Sequence, residues 1–170
     1  SIPPGVRVEE DLPAVALAPD VDVVVELLGG LEPAGSLVES ALRAGRSVVT
    51  ANKLLLAARG TELARLARRT GAALAFEAAV AGGIPILRAL RESFVSDRIE
   101  EVGGILNGTS NFVLTEMSRT ARPYGEVLTE ARSLGYAEAD PSADVEGKDA
   151  ACKVALLARM AFGSDVPLAA

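Results

Sequence analysis

Val21-Asp22-Val23-Val24-Val25-Glu26-Leu27-Leu28, closed by Gly29-Gly30, is the stretch that decides the fold class. A short, Val-rich, nearly continuous apolar run reads as a strand buried on both faces. Such strands belong to parallel sheets with helices above and below. Downstream, Pro33 suits the first turn of a helix. Ser36 to Ala44 continues it, with Leu37, Val38, Ala41 and Leu42 on one face and Gly45 as its stop. Ser47-Val48-Val49-Thr50 reads as a second strand and Ala51-Asn52-Lys53 as the loop after it. Leu54 to Thr70 predicts a long amphipathic helix with Leu55, Leu63 and Leu66 inward and Arg59, Arg65, Arg68 and Arg69 outward, stopped by Gly71. Ala73 to Glu77 reads as a third strand. Strands and helices alternating at this spacing predict a doubly wound parallel sheet. Upstream, residues 1–20 read as a loop-rich entry with several prolines.

Past Ala78 to Gly83 the rhythm changes. Gly82-Gly83 and Pro85 open a helix that runs through Leu90 and ends near Phe94; Ile99 to Leu106 suits a strand; Asn107-Gly108 signals a turn. Thr109 to Thr120 and Tyr124 to Leu134 read as helices, the second capped by Gly135. Ala137 to Val145 reads as an acidic loop, and Gly147 to Phe162 as a final helix packing through Ala151, Val154, Ala155, Ala158 and Ala161. The expected class is therefore α/β: a partial Rossmann-like parallel sheet followed by an α+β region. The G-x-G-x-x-G turn that normally follows the first strand of a dinucleotide-binding half is missing, so the chain enters that sheet after its first unit.

Composition narrows the chemistry. The 170 residues carry 17 Lys plus Arg against 23 Asp plus Glu, a net charge of −6, with no His and one Cys. Without His there is no Ser-His-Asp triad, no His general base and no His-ligated zinc within this chain. Cys152 alone makes no internal disulfide or Cys-cluster metal site and suits a reducing compartment. The negative balance argues against nucleic acid as the main partner. No apolar run reaches the roughly 18 residues of a membrane span. The start has no signal-peptide pattern and no initiating Met, so a piece of a longer, cytoplasmic protein is expected.

Five carboxylates, Glu138, Asp140, Asp144, Glu146 and Asp149, crowd into a dozen residues. A solvated acidic loop is one reading. A calcium loop is another, since Ser142, Asp144, Glu146 and Gly147 fall at EF-hand positions, but Lys153 stands where the bidentate Glu is needed. Asp149 and Lys153, four apart on a helix, share a face. An exposed ion pair there would contribute only about 0.3–0.5 kcal/mol. The small apolar residues of that face suggest instead that Lys153 is partly buried, and a desolvated lysine can trade a proton near neutrality. With His absent, it is the acid/base candidate.

The run Leu134 to Lys153 resembles the homoserine dehydrogenase signature, with its Gly-aromatic start, Asp-Pro step, Asp-Val-x-Gly-x-Asp and a Lys four residues on. Val24 to Gly30, Val49 to Lys53, Phe76 to Pro85 and Gly104 to Asn111 resemble further segments of that family, covering nearly the whole chain from about Val21. The resemblance implies interconversion of aspartate 4-semialdehyde and homoserine with NADP or NAD. It implies two parts: residues 1–78 as the C-terminal part of a nucleotide-binding domain, and 79–170 as an incomplete catalytic domain. By matching position, Lys153 is the implied acid/base. Glu138 and Asp149 hold the substrate ammonium, and Asp144 orients Lys153 or substrate. Lys53 lies between cofactor and substrate; Gly135, Gly29 and Thr50 lie at the cofactor. Glu77, with the carbonyls of Val80, Gly82 and Ile84, is the implied sodium site. A homodimer or higher oligomer is implied, with Ile99 to Leu106 as the candidate strand of its sheet. The alternative is a non-catalytic dimerisation or binding fragment of such an enzyme. A different reductase on the same sheet is disfavoured by the signature ending in Lys153.

Overall fold

The structure is a computed structural model and describes residues 3–137, 140 and 142–168. The chain forms two compact units, Ser1–Ile86 and Leu87–Ala170.

The first unit carries three parallel strands in the order β1-β2-β3: β1 (Val23–Glu26), β2 (Ser47–Thr50) and β3 (Leu74–Ala75). Val24 is in register with Val48, and Val48 with Leu74. The connections are α2 (Ala34–Arg43) and α3 (Lys53–Thr70), so the expected strand-helix alternation is present. A short α1 (Leu12–Leu17) lies in the entry segment, which the sequence reading leaves as loop; Pro13 in its first turn is where a helix tolerates proline.

The core lies where the 3.6-residue and 2-residue periods meet. Leu37, Val38, Ala41 and Leu42 of α2 and Leu55, Leu63 and Leu66 of α3 pack against Val24 and Val48. Each fully buried Leu or Val contributes roughly 1.5–3 kcal/mol. Helices α2 and α3 approach closely at Gly35. A Cβ there would stand 3.0 Å from the Arg59 guanidinium, 3.0 Å from Glu32 Oε1 and 3.3 Å from Leu55 Cδ1, so a larger residue requires these side chains to give way by a few tenths of an ångström. At the start of α3, Asn52 Oδ1 accepts from the Leu55 amide at 3.0 Å; Gly71 ends the helix at φ +74°.

One expectation is corrected here. Strand β1 is not buried on both faces: Val24 and Glu26 are buried, while Val23 and Val25 are exposed. The cause is one-sided packing, since α2 and α3 supply the cover for the buried face and no described element covers the other. β1 and β3 are also shorter than the apolar runs suggest, whereas β2 spans Ser47–Thr50 as expected.

The second unit is helical. After the 3₁₀ turn Glu77–Ala79, which still belongs to the first unit, α4 (Ile86–Arg88) runs into a π-type turn over Ala89–Ser93. Then come α5 (Gly108–Thr120), α6 (Tyr124–Ser133), α7 (Ser142–Val145) and α8 (Lys148–Phe162). Val113, Val127, Ala131 and Ala137 form the core beneath α5 and α6, and Phe112 stacks on Tyr136 with centroids 4.7 Å apart.

Three expectations change here. Ile99 to Leu106 is not a strand; it runs without regular structure, and Ile105 is 73% exposed. A strand needs a neighbour to take its backbone hydrogen bonds, and none is found among the described residues. Part of the expected acidic loop is the short helix α7. In α8 the buried face is Cys152, Ala155, Leu156 and Leu157, whereas Ala151 and Val154 face out: of the expected small-residue face only Ala155 is buried, and the leucines supply the rest of the packed stripe. No described helix is long and apolar enough to cross a membrane.

Candidate active site

Helix α8 begins after Gly147, whose φ of +77° lets the chain reverse out of α7. The 3.6-residue period then sets Asp149 and Lys153 on one face, where Lys153 Nζ donates to Asp149 Oδ2 at 2.7 Å. This is not a surface pair. The two side chains are only 17% and 9% exposed. The same Nζ donates to the backbone carbonyl of Leu106, also at 2.7 Å. The amine is thus held by acceptors from two separate segments.

Asn107 is the next component. Its Oδ1 accepts from the Ser110 amide at 2.8 Å and so caps α5. Its Nδ2 donates to Asp149 Oδ2 at 3.0 Å and to Asp144 Oδ1 at 2.7 Å. Thr109 Oγ1 lies 2.8 Å from Asp144 Oδ2 and 2.7 Å from the Tyr136 carbonyl. A hydroxyl has one hydrogen, so these two acceptors share it. Ser110 Oγ adds a bond to the Asp144 backbone carbonyl at 3.3 Å. Asp144, Asp149 and Lys153 therefore meet in one polar cluster. Glu138 lies outside the described residues. Just ahead of α7, exposed Asp140 accepts from the Ser142 amide, which holds its carboxyl below the usual range. Gly135 follows α6 at φ +78° and is exposed.

A second constellation occupies the first unit, where the C-terminal ends of β1 and β2 lie side by side. Such ends are where ligands settle in open α/β sheets. Glu26 is 1% exposed. Its Oε1 accepts from the amides of Leu28 at 2.8 Å and Gly29 at 3.1 Å, and its Oε2 accepts from the Thr50 hydroxyl. Thr50 Oγ1 in turn accepts from the Asn52 amide at 2.9 Å, and Asn52 Nδ2 donates to the Gly30 carbonyl at 2.7 Å. Gly29 and Thr50 are so tied into one rim. Gly29 adopts φ +77° with nothing within 4 Å of where a Cβ would stand, which leaves an open approach to the backbone. Lys53 is the first residue of α3 beside this rim and is half-buried.

Glu77, Val80, Gly82 and Ile84 fall in one tight segment. The Val80 amide donates to the Glu77 carbonyl at 3.5 Å and the Ile84 amide to the Ala81 carbonyl at 2.8 Å. Ala81 and Gly83 take positive φ, which curls the backbone there. Among the described residues no group of three or more His, Cys, Asp or Glu side chains is placed to hold a metal.

Sequence reading assigns no role to Asn107, Thr109 or Glu26. Asn107 is taken as a turn residue, although an Asn three positions before a helical Ser is also a cap signal. Glu26 is the one charged residue inside the Val-rich run, and a charge there needs donors that only the fold supplies.

Comparison with known proteins follows the same division. Residues 3–77 match the family model "Homoserine dehydrogenase, NAD binding domain" and residues 85–170 match "Homoserine dehydrogenase". The homoserine dehydrogenase of Bacillus subtilis is 55% identical over 150 residues, 88% of this chain and 35% of that protein. That of Pseudomonas aeruginosa is 53% identical over 93% of this chain and 36% of its own length. The crystal structure of a homoserine dehydrogenase from Thiobacillus denitrificans superposes with TM-score 0.87 at 52% identity, covering 92% of this chain and 36% of that one. A hyperthermophilic archaeal homoserine dehydrogenase in complex with NADPH superposes with TM-score 0.85 at 32% identity, covering 91% and 48%. The chain spans little more than a third of the curated relatives it matches. Its two units carry a Rossmann-type parallel sheet and a helical part holding a buried lysine-carboxylate cluster, and this chain belongs to the homoserine dehydrogenase family.

Proposed function

We propose that the protein of which this chain is part reduces L-aspartate 4-semialdehyde to L-homoserine, and oxidises it back, with NADPH or NADH. The observation that carries this reading is the placement of Lys153: a largely buried amine held at 2.7 Å from both Asp149 and the Leu106 carbonyl. Homoserine formation belongs to the biosynthesis of threonine, methionine and isoleucine.

The chemistry assigns each group a task. A bound nicotinamide supplies the hydride that adds to the aldehyde carbon. As the carbonyl π pair moves onto oxygen, Lys153 gives that oxygen a proton from Nζ, and the amine is left neutral. In the reverse direction neutral Lys153 takes the hydroxyl proton. Asp149, with Glu138, holds the substrate ammonium; Asp144 keeps the acid cluster in register. Lys53 supplies a cation between nucleotide and substrate.

Residues 1–78 act as the nucleotide-binding part and 79–170 as the substrate part, which the family matches to 3–77 and 85–170 support. Gly29, Thr50 and Gly135 serve as cofactor contacts. For Gly29 and Thr50 the support is the open rim at the C-terminal end of the parallel sheet. A sodium ion would take the Glu77 carboxylate and the carbonyls of Val80, Gly82 and Ile84. That all-oxygen set suits a hard cation, and its members fall in one short segment of the chain. A homo-oligomer in the cytoplasm completes the reading. It is supported by the largely exposed segment at Ile99 to Leu106, which pairs with no strand among the described residues, and by the single buried Cys152.

The test is nicotinamide absorbance on mixing the full-length protein with aspartate semialdehyde and either reduced nucleotide. Steady oxidation of the nucleotide is expected. No turnover with either nucleotide would refute the reading.

A further inference from the structure

We propose that Asn107 is the positioning residue that fixes the Lys153 amine, acting through both of the acceptors that hold it; this rests on the proposed role of Lys153. One acceptor, Asp149 Oδ2, also receives the Asn107 amide at 3.0 Å. The other, the Leu106 carbonyl, belongs to the peptide bond that leads into Asn107. The orientation of that peptide follows from Asn107 being locked as the cap of α5, with extended backbone at φ −132° and Oδ1 on the Ser110 amide. Its second N–H reaches Asp144 Oδ1 at 2.7 Å, so one side chain ties the start of α5, α7 and α8 to a single point.

The choice of side chain has a physical reason. Both carboxylates only accept and the Ser110 amide only donates, so the orientation of the Asn107 amide is dictated by its partners. Two carboxylates close together repel. A cation between them would relieve that but would also compete with the Lys153 ammonium for Asp149. A neutral amide supplies two donors and adds no charge, so the field at Lys153 is left to the acids. Asn107 is 8% exposed, so water is a poor substitute for it. Among the described residues, the charged groups bonded into the Lys153 cluster are Asp149 on its own helix and, through Asn107, Asp144 on α7. Arg88, Arg91 and Glu92, on the segment packed against α8, pair with one another.

Two substitutions in the full-length protein separate positioning from folding. Asn107→Ser keeps a side chain that caps α5 but loses both amide donors. Its kcat is expected to fall on the order of 10–100-fold, as for a reacting group displaced by about an ångström, with nucleotide affinity unchanged. Asn107→Asp keeps the cap and adds a negative charge beside the cluster. The pH profile of homoserine oxidation, which needs neutral Lys153, is expected to move about one unit to higher pH. Competitive acylation of Lys153 followed by mass spectrometry reads the same shift without any turnover. Turnover of Asn107→Ser within twofold of the parent would overturn the proposal. So would an acylation midpoint at Lys153 that Asn107→Asp leaves in place. A parent enzyme inactive on homoserine would instead refute the functional reading, and the acylation comparison would still decide this one.

Discussion

Lys153 Nζ lies 2.7 Å from the carbonyl oxygen of Leu106, a residue 47 positions earlier in the chain. A backbone carbonyl is an acceptor that cannot titrate, whereas Asp149 can. That carbonyl accepts from the amine whether or not the amine is charged, so this one anchor is independent of the charge on Lys153.

The proton and the charge at this position can be separated. Lys153→Arg keeps a cation but cannot release a proton, and Lys153→Ala loses both. Both variants are expected to lose turnover by about 10²–10⁴-fold while binding NADPH as the parent does. Stopped-flow absorbance and nucleotide titration check this. Retention of most of the activity by the Arg variant would remove proton transfer from the role of residue 153.

At the sheet end, Glu26 is the acceptor for two amides and one hydroxyl. Glu26→Ala leaves those donors without a partner in a buried place, at about 1–3 kcal/mol for each buried group left unsatisfied. Glu26→Gln keeps one oxygen for the Leu28 and Gly29 amides and is expected to be milder. Denaturant unfolding and NADPH titration are the measurements. Weaker nucleotide binding in both, ordered Ala worse than Gln, is the expected result; unchanged binding in the Ala variant would show that the rim is set by other contacts.

Helices α2 and α3 are joined by Glu39, which accepts from Arg59 at 2.6 Å and from Arg43 at 2.6 Å. Arg59, then Arg43, holds its carboxyl below the usual range. A carboxyl depressed in the folded state adds stability above its unfolded pKa and loses it as pH falls through the folded one. Glu39→Gln is therefore expected to be less stable than the parent by about 0.5–1 kcal/mol at neutral pH. The gap closes progressively as pH drops below about 4.3. Thermal unfolding across pH checks this, and a gap independent of pH would exclude the ion pair as its source.

Helix α5 ends on Ala121 at φ +55°, with its amide on the Met117 carbonyl at 2.9 Å. That left-handed position normally takes glycine, because a Cβ there crowds the following carbonyl. Ala121→Gly is expected to raise stability by about 0.5–1 kcal/mol. A lower melting temperature in that variant would contradict the backbone geometry.

The parallel sheet, α2, α3, α5, α6 and α8 are legible in the chain itself, because apolar period and glycine stops are local properties. The Asp149–Lys153 pairing is legible for the same reason, being one helical turn. Two things were not. The apolar run at Val21 to Leu28 does not say which of its faces finds a helix, and Ile99 to Leu106 does not say whether a neighbouring strand exists. Both depend on partners elsewhere.

The amino-acid order thus carries the elements and, through its likeness to a known signature, the lysine. The meeting of Leu106 with that lysine and of Asn107, Thr109 and Asp144 around its partner Asp149, and the convergence of Leu28, Gly29 and Thr50 on Glu26, arise from folding. Hydrogen bonds between residues tens of positions apart follow from where the backbone brings donors and acceptors, and no local pattern encodes that meeting.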